Sequence, residues 1–218
     1  MIPNYERAAI KATETLIKFK IDSSPVSPFP MLKRTDGVFV VSFAEMSNNI
    51  GIERKNILTT FRDSQDAVTS VFVADDKLRY IVAYNQMLPF YMLQRALARE
   101  LGHIVLGHDG TLPDEVQAEE ARCFAHHLIC PRPLIHLVMS SGIRFTTEVL
   151  GNLTGCYERC LFGMRRLPKI SVPAELNRAV RDNLKDYLFN FFEYQRIIAI
   201  DDASAIADFG SYMEGYEE

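Results

Sequence analysis

The sequence predicts an α+β fold in which a small antiparallel sheet packs beside a helix that carries the candidate functional residues, followed by a helical C-terminal part. Three observations support this prediction. One strongly amphipathic segment precedes residue 20, β-branched and aromatic segments follow between residues 37 and 85, and helical periodicity dominates from there onward. At 218 residues and 48% hydrophobic content, the chain is long enough to bury a sizeable core.

The first predicted element is an amphipathic helix from Asn4 to about Lys20. Its apolar residues recur at helical spacing among charged ones. The segment "IDSSPVSPFPMLKR" follows, and its three prolines and three serines predict that this helix cannot continue.

Three short segments then have the composition of strands: "GVFVVSFA", "VTSVFVA" and "RYIVAYN". The last two are joined through "DDKL", which suits a tight turn, so we expect an antiparallel hairpin.

Two helices come next. The helix from about Pro89 to Gly107 has a broad apolar stripe, and Gly107 is suited to end it. The second, from about Pro113 to Ile129, begins with acidic residues that favour a helix N-terminus and ends before Pro131. From residue 132 onward the pattern is helical throughout.

Composition excludes several classes of protein. The N-terminus has no continuous apolar stretch of the kind found in secretory signals, and no run of about 18 uncharged apolar residues occurs, so we expect a cytoplasmic protein without membrane contact. The four cysteines are expected to be reduced thiols. Net charge is −4, but residues 201–218 alone hold six acids and no Lys or Arg, which predicts a solvated acidic tail.

The stretch "RELGH" at residues 99–103 differs by one residue from the zinc-peptidase pattern HExxH. In that pattern two histidines four apart lie on one face of a helix and bind one Zn²⁺, while the glutamate activates a water. Here Glu100 and His103 are present, but Arg99 stands where the first histidine belongs. A third ligand is commonly a carboxylate on a following helix, and Glu120 is placed for that.

The runs "RELGHIVLGH" and "EEARCFAHHLICP" together resemble the ImmA/IrrE family of zinc metallopeptidases, whose core pattern is HELGHxxLxH followed by EAxxFAxxLLMP. The resemblance covers roughly residues 5–135. It implies a zincin-like core in which Glu100 matches the general base, His103 a zinc ligand and Glu120 the carboxylate ligand. It also implies a division into a metallopeptidase core at 1–135, a helical region at 136–200 and the acidic tail at 201–218.

Arg99 matches the first zinc ligand of that family, yet a guanidinium has no lone pair to give a cation. Three hypotheses remain open. The metal is lost and Arg99 pairs with Glu120 or Glu100; a substitute ligand completes the site; or Arg99 points into solvent beside a vestigial site.

Three residues are candidates for the substitute ligand. His108 lies just past the end of the first helix, whereas Cys123 and His127 follow Glu120 by three and seven positions, roughly on its face. His108 also suits a structural role at the helix end.

By this resemblance the protein acts on a repressor-type DNA-binding protein, often one encoded by a phage or another mobile element, and so takes part in transcriptional regulation. We expect a member degenerate at its zinc site. The alternative is an active zinc endopeptidase that cleaves such a repressor with a substitute ligand. A further alternative is direct DNA binding through the segment 145–167, which has the outline of a helix-turn-helix.

Overall fold

The computed structural model describes residues 1–50, 66–109, 111–141, 146–155 and 170–198, without the side chains of residues 49, 50, 147 and 194–198. The described part contains helices and a single sheet. The helices are α1 (Tyr5–Lys18), α2 (Pro28–Lys33), α3 (Phe43–Ile50), α4 (Phe90–Leu106), α5 (Asp114–Ile129), α6 (Arg132–Ser140), α7 (Thr147–Thr154) and α8 (Ala174–Ile198). The strands are β1 (Val38–Ser42), β2 (Ala67–Ala74) and β3 (Lys77–Tyr84).

Helix α1 forms as its periodicity predicts. The side chain of Asn4 caps its N-terminus by accepting a hydrogen bond of 2.9 Å from the backbone N–H of Arg7. Its apolar face, including Ala8, Ala12 and Leu16, is fully or almost fully buried and packs against α5 and α8. α1 ends at Lys18, before the proline-bearing segment that begins at Ile21, and α2 then begins with proline in its first turn.

The sheet has the order β1-β3-β2. β2 and β3 form the expected antiparallel hairpin, in which Asp75 and Asp76 make a two-residue turn with φ angles of 52° and 56°. The prediction of a wholly antiparallel sheet was wrong, because β1 runs parallel to β3, with Val38 opposite Tyr80. The chain leaves β1 through α3 before it reaches the hairpin, which is the kind of crossover that a parallel pair requires.

Helices α4 and α5 pack closely together, and this pairing positions the candidate site. Gly107 ends α4 in the left-handed conformation, with φ 66°, as its place in the sequence predicts. The contact between the helices requires Gly102, because a Cβ there would lie 3.0 Å from Cδ1 of Phe124 and 3.2 Å from the carbonyl oxygen of Ala121.

The described residues beyond 132 are helical apart from short connections, as predicted. Helix α8 packs against α1 and α6, and its Val180, Leu184 and Leu188 join the same buried cluster as the apolar face of α1. Cys123 and Cys130 are buried. Cys156, Cys160, most of the segment 145–167 and the tail 201–218 lie outside the described residues.

None of the helices in the described ranges combines the length and the apolar character needed to cross a bilayer.

Candidate functional site

A cleft of about 490 Å³ lies between β2, the C-terminal half of α4 and the start of α5. Its wall includes Thr69 from the strand and Glu100 and His103 from α4, with His108 just beyond the end of that helix. Arg99 also lines the cleft. It lies four residues before His103 on α4, and residues four apart on a helix share a face. The structure therefore brings the residues of the altered motif to one concave surface.

Glu100 is buried, with 4% of its surface exposed. One carboxylate oxygen, Oε2, accepts a hydrogen bond of 2.8 Å from the hydroxyl of Thr69, and the other faces Arg99. Burial raises the pKa of Glu100, whereas the charge of Arg99 and the hydrogen bonds from Thr69 and Arg99 oppose that rise. A carboxyl with a raised pKa in a cleft is suited to proton transfer.

Arg99 bonds to the residue that follows it. Its Nε and Nη2 each lie 3.1 Å from Oε1 of Glu100, and Nη2 also donates to the carbonyl oxygen of Ala67 at 3.3 Å. The side chain is 33% exposed. The guanidinium therefore links α4 to Ala67, the first residue of β2. It also places a fixed positive charge beside Glu100, and a pairing of Arg99 with Glu100 is part of the first hypothesis for Arg99.

His103, His108 and Glu120 form a chain of contacts across the back of the cleft. Nδ1 of His108 lies 2.9 Å from Nδ1 of His103, and its Nε2 lies 3.1 Å from Oε2 of Glu120. Burial, then His108 and Arg99, lower the pKa of His103 to about 4. The backbone N–H of His108 also donates to the carbonyl of His103 at 3.0 Å, so His108 has the expected structural role at the helix end as well.

Glu120 is held by the N-terminal residues of the chain. It is 2% exposed, and its Oε1 accepts a hydrogen bond of 2.7 Å from the backbone N–H of Asn4. Nη1 of Arg7 lies 3.9 Å from its Oε2. Sequence analysis missed Asn4, Arg7 and Thr69, since these contacts join residues far apart in the chain and no motif marks them.

The other two candidate ligands lie elsewhere on α5. Cys123 is fully buried, its Sγ donates to the carbonyl of Tyr5 at 3.5 Å, and burial raises the pKa of its thiol to about 12. His127 is also buried, and burial followed by the charge of Arg132 lowers its pKa to about 3. Neither residue lines the cleft. Of the three predicted substitute ligands, only His108 therefore lies in contact with both His103 and Glu120.

Two imidazoles and one carboxylate form a donor set that zinc commonly takes. As placed, however, His103, His108 and Glu120 are bonded to one another, Glu120 also accepts from Asn4, and Arg99 holds the position of the first motif ligand. Among the described residues, no group of three or more His, Cys, Asp or Glu side chains is arranged to hold a metal ion. The arrangement described here does not fit a three-ligand zinc site.

The altered HExxH motif at residues 99–103 lies within a segment that matches a known protein family. Residues 52–155 match the family described as IrrE N-terminal-like domain, a metallopeptidase family that is generally zinc-dependent, and this range contains Arg99, Glu100, His103, His108 and Glu120. No match was found among curated proteins or solved structures. The mixed α/β architecture with its small sheet is compatible with the zincin-like fold of that family. This match, which covers slightly less than half of the chain, identifies residues 52–155 as an IrrE N-terminal-like domain and supports membership of the ImmA/IrrE family.

Proposed function

We propose that this protein binds a repressor-type DNA-binding protein at the cleft and that its zinc site is degenerate. The observation that carries the proposal is the contact between Arg99 and Glu100 at 3.1 Å. The guanidinium stands at the first ligand position of the motif, and it supplies a permanent positive charge of the sign that Zn²⁺ would bring.

The shape of the cleft supports a protein partner. β2 is one of the two outer strands of the described sheet, and it lines the cleft through Ala67, Thr69 and Val71. An outer strand offers backbone N–H and C=O groups with which an extended peptide can pair. Val71 and Phe72 are also partly exposed, so the same strand offers apolar surface.

The partner class follows from the family resemblance, in which the substrate is a transcriptional repressor. For a chain without a working zinc site, association without cleavage is the activity that remains. The cleft then serves as a docking surface, with the buried and hydrogen-bonded Glu100 holding Arg99 in place beside β2.

The test mixes the purified protein with a candidate repressor encoded at the same locus, with and without EDTA. Association is followed by analytical gel filtration and cleavage by denaturing gels, for the natural protein and for Glu100→Gln. We expect a complex that survives chelation and no cleavage in either protein. Absence of a complex, or a complex that dissociates on chelation, contradicts the proposal.

A second candidate is an active zinc endopeptidase in which His108 supplies the substitute ligand. The position of the His108 ring between His103 and Glu120 favours it. The same experiment separates the two candidates, because this one predicts cleavage that EDTA and Glu100→Gln both abolish. Direct DNA binding through 145–167 rests on a segment of which only α7 and its flanks are described, and no contact described here favours it.

A further inference from the structure

A second cavity, of about 250 Å³, lies between α4 and α5 on the other side of Arg99. Four basic or imidazole side chains line it: Arg95 and Arg99 from α4, and Arg122 and His126 from α5. Each pair is spaced four residues apart, so each helix turns two of these groups toward the same space. We call this cavity the arginine pocket.

Not every charged side chain of the arginine pocket is in an ion pair. Arg99 is paired with Glu100, and Arg122 is paired with Glu119 on its own helix. Arg95 is exposed and has no ion pair or hydrogen bond with any residue that the structure describes. Two carboxylates, Asp66 and Glu119, line the pocket beside the three guanidinium groups. Among the described residues, Arg95 is therefore the guanidinium of the pocket without an ion pair, and Asp66 is the carboxylate without one.

One buried hydrogen-bond donor in the pocket also has no partner among the described residues. Nε of Arg122 is buried and lacks a hydrogen-bond partner within the described structure. His126 is 7% exposed, and burial followed by Arg95 and Arg122 lowers its pKa to about 4. Its ring is therefore neutral near pH 7 and carries one N–H. The buried Nε–H of Arg122 is unfavourable without an acceptor, and an anion in the pocket would supply one.

The rest of the wall is mainly apolar, with Met92, Ala96, Ala125 and Ile129 among its residues. A low-dielectric wall strengthens the attraction between a guanidinium and an anion. Because the cavity is small, it suits one compact group. Paired N–H donors of a guanidinium match the oxygens of a carboxylate or a phosphate.

We propose that the arginine pocket binds a single oxyanion, either a phosphate or a carboxylate, between Arg95 on α4 and Arg122 and His126 on α5. The arginine pocket is distinct from the cleft. Of the four basic or imidazole residues that define the pocket, only Arg99 also lines the cleft. The pocket does not depend on whether the cleft holds zinc or on the repressor partner.

The test is a chemical-shift titration of the arginine Nε–H resonances in the ¹⁵N-labelled full-length protein at low ionic strength. Inorganic phosphate is one probe, and N-acetylglutamate is the other, which stands for a carboxylate carried by a peptide. The variants are Arg95→Gln and Arg122→Gln. Arg181→Gln, an exposed position on α8, is the control. Circular dichroism establishes that each variant is folded.

We expect at least one probe to give a saturable shift, with the dissociation constant raised about tenfold or more in Arg95→Gln and in Arg122→Gln and unchanged in Arg181→Gln. Stronger binding of phosphate identifies a free phosphate-type ligand, and stronger binding of N-acetylglutamate identifies a peptide carboxylate. The proposal is overturned if neither probe saturates, or if a folded Arg95→Gln protein binds both probes as the natural protein does.

Discussion

The guanidinium of Arg99 lies 3.1 Å from Oε1 of Glu100, so the residue at the first position of the HExxH-type motif is bonded to the residue at the second. Glu100 is also bonded to Thr69, and Arg99 to the carbonyl of Ala67. Both residues therefore form hydrogen bonds that connect α4 to β2. The position that matches the first histidine of the HExxH pattern thus supplies a structural contact.

The first prediction concerns the energy of that contact. Arg99→Gln leaves a buried carboxylate without its cation, so we expect the free energy of unfolding to fall by about 1–3 kcal/mol, less than for a fully buried pair because Arg99 is one-third exposed. Adding Glu100→Gln removes the charge that needed compensation. A double-mutant cycle in urea should therefore give a coupling of about 1 kcal/mol.

The pair Lys11 and Glu14 on α1, 2.7 Å apart and with each side chain 43% exposed, provides a matched cycle. Its coupling should be only about 0.3 kcal/mol, because exposed pairs are screened by water. Equal couplings in the two cycles would show that the Arg99–Glu100 contact has no special role in stability.

The second prediction concerns His108, whose ring joins His103 to Glu120. His108→Ala leaves polar atoms of both neighbours without this partner in a buried place, so we expect a loss of about 1–3 kcal/mol in the free energy of unfolding. His136→Ala, at an exposed position on α6, should change it by less than about 0.5 kcal/mol. Similar losses in both variants would mean that His108 does not bridge the two residues.

The third prediction is a dependence of stability on pH. Burial lowers the pKa of His126 to about 4 and that of His127 to about 3, below the ordinary value of 6.5. As the pH falls below about 6.5, the unfolded chain binds protons that the folded chain does not, so stability declines toward pH 4 by up to about 1.4 kcal/mol per pH unit for each histidine. Urea unfolding at several pH values measures this slope.

His127→Gln should remove one histidine's share of that slope. A slope that is the same in the natural protein and in His127→Gln would contradict the burial of a neutral His127.

The fourth prediction concerns the approach of α4 to α5. Gly102→Ala normally favours a helix, but here the added methyl meets Phe124 at 3.0 Å, so we expect destabilisation by about 1–3 kcal/mol. Gly107→Asn should be close to neutral, because asparagine tolerates the left-handed conformation and no atom lies within 4 Å of the added Cβ. If Gly102→Ala raises the melting temperature, the helices are less closely packed than described.

Sequence patterns over a few residues predicted the helices and turns that interactions between neighbouring residues determine. Periodicity and a terminal glycine gave α4 and its end at Gly107, and the turn at Asp75 and Asp76 gave the hairpin. The direction of β1 was not accessible in this way, because it depends on a pairing with β3 about forty residues away. Motif spacing likewise led to Glu100, His103, His108 and Glu120 as candidates.

The rest of the site depends on contacts between distant segments. The backbone N–H of Asn4 reaches Glu120 across 116 positions, and no local pattern marks it. Thr69 reaches Glu100 from an adjacent strand for the same reason. Helical spacing placed Cys123 and His127 near the face of Glu120, but it could not show that Cys123 packs against Tyr5 of α1 or that His127 is buried near Arg132.

The most direct test of the account is elemental analysis of the protein purified without a histidine tag, beside an Arg99→His variant prepared identically. The account predicts a natural protein free of zinc, because Arg99 cannot be a ligand, and a variant that retains about one zinc per chain through the restored motif histidine. About one tightly held zinc per chain in the natural protein would contradict the degenerate site and favour an endopeptidase that uses His108.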